Sequence, residues 1–198
     1  IPDSVTSIGY YVFNSCGVTS ITIPYGLTSI GFGTFAYAAA LENVTFSNNP
    51  NFIGIGQEAF IGCTSLTSIT IPDSVTSIGN AAFSYSGLTS VIIPDSVTSI
   101  GNEAFRDCSL TSVIIPNSVS TVGIGAFQNC TDLASATLPN NVGFTDIKNY
   151  LFYKCTSLSS VTIPNSVTYI GNSAFQNCDF TSITIPDSVS TIKLRAFQ

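Results

Sequence analysis

Six cysteines and eleven carboxylates are the side chains best placed to do chemistry, and the chain contains no histidine. Without imidazole, Ser–His and Cys–His nucleophile pairs cannot form. The carboxylates stand singly and mostly at turns, so no acid–base pair is suggested. No glycine-rich loop is built to cradle phosphate. The expectation is a protein that is not an enzyme and carries no cofactor.

The cysteines are Cys16, Cys63, Cys108, Cys130, Cys155 and Cys178, and the last four recur every 22 to 25 residues. No CxxC pair exists, so a zinc-type site is not indicated. Three readings stay open: free thiols in a core, disulfides between successive turns of the chain, or one functional thiol. Ala38 and Ser86 stand at the same place in other repeats. A small buried residue is thus what the position requires, which favours free thiols. Asp73 and Asp95 also recur one repeat apart, but Asn117, Asn140 and Asn165 replace them without charge. Turn capping explains that set better than a shared Ca²⁺.

The elements that hold these residues are copies of one sentence, seen in Leu88 to Cys108 as LTSVIIPDSVTSIGNEAFRDC. Phe13, Phe35, Phe60, Phe83, Phe105, Phe127, Phe152, Phe175 and Phe197 mark its register. Five residues before each Phe lies Ile or Val; three after it lies Cys, Ala or Ser wherever the chain continues. Constant spacing between apolar residues means a constant backbone path between core contacts, as in a solenoid. The runs of the type LTSITIP are β-branched and alternating, which reads as a short half-buried strand closed by Pro. Eight such strands about 4.8 Å apart would form a sheet roughly 35 Å long. Length varies only between Cys and the next Leu, and after the Pro. At the second place Asn51-Phe52 and Gly143-Phe144 read as two-residue insertions.

The sentence LxxIxIPxxVxxIGxxAFxxC resembles the BspA-type leucine-rich repeat, over the whole chain. The resemblance implies a leucine-rich-repeat solenoid of about nine repeats. It would be a right-handed coil with a concave parallel β-sheet and short strand or helical turns on the convex side. It also implies a secreted or cell-surface protein, since the family is known mainly as adhesins and surface proteins. Lys148 and Lys193 stand where the pattern has Gly, and the Lys148 region, with its insertion, is expected to bulge.

Composition narrows the partners. The chain is 44% hydrophobic and only 8% charged, with a net charge of −6. The basic residues, Arg106, Lys148, Lys154, Lys193 and Arg195, are scattered. Nucleic acid and anionic membrane surfaces are therefore not expected partners. No apolar run approaches the roughly 18 residues of a spanning helix. Residues 1–198 read as one solenoid that begins and ends within a repeat, either a segment of something longer or an open-ended protomer.

The candidate binding face is the outward side of the sheet: Ser68, Thr70, Ser90, Ile92, Ser112, Ile114, Ser135 and Thr137. It is a hydroxyl ladder without charge, interrupted by two isoleucines. β-Branched residues suit any strand, but two adjacent outward isoleucines can also mark a contact site. The leading expectation is an adhesion or interaction module taking a protein or glycan ligand on this face. The alternative is a protomer that stacks on itself into an extracellular fibre. Asn43-Val44-Thr45 and Asn129-Cys130-Thr131 are glycosylation sequons, with Asn43 the better exposed.

Overall fold

The computed structural model describes residues 1–198 as a β-solenoid. Two rows of short parallel strands run along it. The first row comes from the LTSITIP runs: β1 (Ser20–Ile23), β3 (Asn43–Phe46), β7 (Ser112–Ile114), β9 (Ser135–Thr137) and β11 (Ser160–Thr162). The second comes from the two residues ahead of the Gly position. It comprises β2 (Ser29–Ile30), β4 (Gly54–Ile55), β5 (Ser77–Ile78), β6 (Ser99–Ile100) and β8 (Thr121–Val122). After these come β10 (Asp146–Ile147), β12 (Tyr169–Ile170) and β13 (Thr191–Ile192).

The core between the rows is a stack of repeated contacts. Neighbouring rings from Phe13 to Phe197 lie nearly parallel, with centroids 5.2 Å apart at the Phe13 end and 5.4 Å apart through Phe60, Phe83, Phe105 and Phe127. Leu66, Ile71, Val75 and Ile78 of a typical coil are buried around that column. Each coil is thereby sealed by its neighbours, because one coil alone buries too little to offset the entropy of ordering it.

A third ladder lies on the Ala-Phe side, where helical turns were among the expectations. No helix forms there. The positions two before and two after each Phe take left-handed backbone, as at Ala81 and Tyr85 (φ 51° and 58°) and at Glu103 and Asp107 (φ 55° each). A helix needs consecutive right-handed residues, so a left-handed residue every fourth place forbids it. The alternation turns every second N–H toward the next coil: Phe83 N–H donates to Ala104 O and Phe105 N–H to Ala126 O, both at 2.8 Å. The intervening N–H groups close tight turns, as from Ser86 to Phe83 O at 3.1 Å. In the second strand row the direction reverses, with Gly101 N–H donating back to Ile78 O at 2.9 Å.

Two expectations need correction. The first strand row is not one unbroken sheet; its pairings are β1–β3, the bridge Thr70–Ile92, and β7–β9–β11. Nor are Phe52 and Phe144 inserted residues. Both are buried three places before Ile55 and Ile147, where other coils carry Val. The extra residues therefore lie ahead of them, and a buried or half-buried Asn closes each longer loop. Asn49 Nδ2 donates to the carbonyls of Tyr25 and Leu27, both at 2.7 Å. Asn141 Nδ2 likewise reaches Asn117 O and Val119 O, at 2.9 and 2.8 Å.

The Lys148 region does depart from the pattern, since the second strand row divides between β8 and β10. Lys193 occupies the Gly place yet still donates to Ile170 O at 2.9 Å, and the insertion ahead of β4 leaves β2–β4 paired. The ladder opens only where the Lys and the insertion coincide.

Candidate functional site

In the sheet run Leu66, Ile69 and Ile71 point into the core and Ser68 and Thr70 point out. The same alternation exposes Ser90, Ile92, Ser112, Ile114, Ser135 and Thr137. All eight residues proposed from sequence therefore lie on one side of the first strand row. Pairing keeps them in line: Thr70 faces Ile92, Ser112 faces Ser135, and Ile114 faces Thr137.

Ile92 and Ile114 stand apart from their hydroxyl neighbours. Their exposures are 82% and 69%, the largest of any isoleucine in the chain. They belong to adjacent coils whose strands are not paired at this point, and a hollow of about 580 Å³ opens between them. Ser90, Ser112 and Thr137 line it with hydroxyls, and Asp95 and Asn117 lie at its edge. A hollow of about 630 Å³ lies between β3 and the Thr70 run, but only two of its eleven lining residues, Val44 and Phe46, are hydrophobic, and the inserted loop at Asn48 to Pro50 forms part of its wall. The isoleucine hollow is the one suited to an apolar anchor, because it combines exposed aliphatic surface with hydrogen-bonding neighbours.

The cysteines are all free, and the five from Cys63 to Cys178 donate to backbone carbonyls of the preceding coils. Cys63 Sγ donates to Phe35 O, Cys108 to Phe83 O and Cys130 to Phe105 O, each at 3.1 Å. Burial pushes the thiols of Cys63, Cys108 and Cys178 up to about 12, and those of Cys130 and Cys155 up as well. A thiol held protonated in this way is a poor nucleophile. Ser86 takes the same place, its Oγ 3.4 Å from Cys108 Sγ.

At the turn after the Pro, side chains link one coil to the next. Asp3 Oδ1 accepts from Tyr25 N–H at 2.9 Å and Asn117 Oδ1 from Asn140 N–H at 2.7 Å. Beside Asp73 and Asp95 the following serines do this work: Ser74 Oγ donates to Phe52 O and Ser96 Oγ to Val75 O, both at 2.6 Å. Asn43 is exposed in β3. Asn129 is half-buried, with left-handed backbone (φ 59°) and its Nδ2 donating to Asp107 Oδ1 at 3.1 Å.

One feature escaped sequence reasoning. The Tyr11 ring fills the space where a Cβ on Gly33 would sit, and the Tyr37 ring does the same at Gly62. Each Tyr and its Gly occupy the same register place in successive coils, which is the signal that would have revealed them. Tyr11 Oη donates onward to Glu58 Oε2 at 3.2 Å. Loss of water and the Glu58 carboxylate raise the Tyr11 phenol above its ordinary value.

The profile of the BspA type leucine rich repeat region (6 copies) matches residues 1–108 and 76–198, and so spans the chain. The chain belongs to the BspA-type leucine-rich-repeat family. Among solved structures it is similar to a leucine-rich repeat protein from Bacteroides ovatus, at 34% identity and a TM-score of 0.78. That match covers 93% of this chain and 48% of the other, so the chain spans about half the length of the Bacteroides ovatus protein. It is also similar to a leucine rich cell surface protein from Faecalibacterium prausnitzii, at 27% identity and a TM-score of 0.57, covering 96% of this chain and 69% of that one. The leucine-rich repeat protein of T. pallidum matches at 28% identity and a TM-score of 0.58, with coverages of 87% and 69%. Comparison with curated proteins returns no match. No helix of this BspA-type solenoid is long and apolar enough to cross a membrane.

Proposed function

We propose that this solenoid is a cell-surface or secreted interaction module that holds a macromolecule on the exposed side of its first strand row. The observation that carries the reading is the pair Ile92 and Ile114, open to solvent in a row whose other outward residues are Ser, Thr and Asn43. Exposed apolar surface rimmed by polar residues marks interaction sites, and in an interface a few buried anchors supply most of the affinity. The uncharged hydroxyls around them offer hydrogen bonds to a protein backbone or to a glycan at little desolvation cost. The surface location is supported by the family and by the Faecalibacterium prausnitzii cell surface protein.

The test is binding of the purified chain to a panel of immobilised extracellular-matrix and plasma proteins, beside the double variant Ile92→Asp/Ile114→Asp. Capture of at least one protein by the native chain, lost in the variant, supports the reading. Equal capture by both removes the sheet side from consideration.

A further inference from the structure

On the Ala-Phe side of the first coils lies a second surface, made of aromatic side chains with no basic residue near them. Tyr10 is 74% exposed, Tyr37 55% and Tyr11 41%, and Phe32 lies among them in edge-to-face contact with Tyr10 and Tyr11 at 5.9 and 4.9 Å. Tyr11 and Tyr37 both have left-handed backbone, at φ 58° and 56°. The hydrogen bonds between coils impose this backbone here as at the same places of every coil, and so hold both side chains in place. The rings are also fixed before any ligand arrives, because each is seated over a glycine of the following coil. Beside them the Glu58 carboxylate is aimed rather than free: Oε2 accepts from Tyr11 Oη at 3.2 Å and Oε1 from Gln57 Nε2 at 3.1 Å. Each oxygen keeps a lone pair for a further donor.

We propose that Tyr11, Tyr37, Phe32 and Glu58 form a carbohydrate-binding platform for a neutral glycan. The apolar faces of pyranose rings pack on rigid aromatic rings, and sugar hydroxyls donate to the Glu58 carboxylate while the tyrosine hydroxyls add polar contacts. Charge selects the class of sugar. Arg106 is the first basic residue in the chain, four coils on from Tyr11, and the net charge is −6. Uronic and sialic acids are thus repelled, whereas an uncharged polysaccharide is not. A fixed aromatic surface also loses little side-chain entropy on binding. This platform is separate from the isoleucine hollow, and either surface can fail without the other.

The test is affinity electrophoresis of the native chain in gels cast with mannan, galactan, amylose or β-glucan, with polygalacturonate as the anionic counterpart. Tyrosine fluorescence gives a second readout, since the chain has no Trp. Retardation by at least one neutral polysaccharide is expected. Tyr37→Ala should weaken it tenfold or more and Glu58→Gln several-fold, while Ile92→Asp/Ile114→Asp leaves it unchanged. Thermal melting of each variant separates lost binding from lost fold, and Tyr37→Phe should keep most of the retardation. The proposal is overturned if no neutral polysaccharide retards the native chain or if polygalacturonate alone does. It is also overturned if retardation survives Tyr37→Ala, or if a protein ligand proves to be the only thing that this variant fails to bind.

Discussion

Cys130 Sγ donates to the carbonyl oxygen of Phe105, one coil earlier, at 3.1 Å. The thiol thus serves as a buried hydrogen-bond donor between coils. Buried thiols should resist an aromatic disulfide reagent at pH 8 in the folded protein, and all six should react in denaturant. Rapid reaction of Cys130 while the chain remains folded would contradict the burial.

These thiols also set a pH dependence. Cys63, Cys108 and Cys178 lose their protons near 9.0 when unfolded but near 12 when folded. Between those values the native state binds more protons than the unfolded state, so stability falls as pH rises. Urea midpoints should be flat below pH 8 and decline from pH 9 upward. Replacing the three by Ser, the residue found at position 86, should make the decline shallower, with the remainder due to Cys130 and Cys155.

Gly62 must remain glycine for two reasons, its φ of +69° and the Tyr37 ring over it. Gly62→Ala should cost about 1–2 kcal/mol from the left-handed backbone alone, plus the displacement of Tyr37. Ala81→Gly, at a left-handed position now held by Ala, should be close to neutral, since relief of strain offsets added chain entropy. Chemical denaturation of both variants checks the contrast.

Asn49 and Asn141 close the two longer loops. Replacing either by Ala orphans two carbonyls and should destabilise by about 1–3 kcal/mol. Ser118 Oγ is buried without a partner. Ser118→Ala should therefore leave stability unchanged or raise it.

Much of this was legible because the repeat multiplies each signal. The Phe column and the outward Ser68 to Thr137 row follow from fixed spacings between apolar residues, and the structure places both as those spacings require. The left-handed residues were not legible. Their places hold fourteen residues other than Gly, Tyr foremost, against three Gly, because hydrogen bonds between coils impose the backbone whatever the side chain. Phe52 and Phe144 read as inserted residues in the sequence because a Phe in place of Val hides the register; only the constant three-residue step to Ile55 and Ile147 restores it. The tyrosines over Gly33 and Gly62 needed comparison of one coil with the next, which a search within single repeats does not make.

The central claim is that Ile92 and Ile114 anchor a macromolecular ligand. Its most direct measurement is the dissociation constant of any captured protein for three chains: native, Ile92→Asp/Ile114→Asp, and Ile124→Asp. Ile124 is exposed but lies on the Ala-Phe side, so it controls for added charge. A loss of about thirtyfold or more, corresponding to a hot spot of about 2 kcal/mol, is expected for the double variant alone. Equal affinity of all three chains, or a larger loss in Ile124→Asp, would contradict an interface on the sheet.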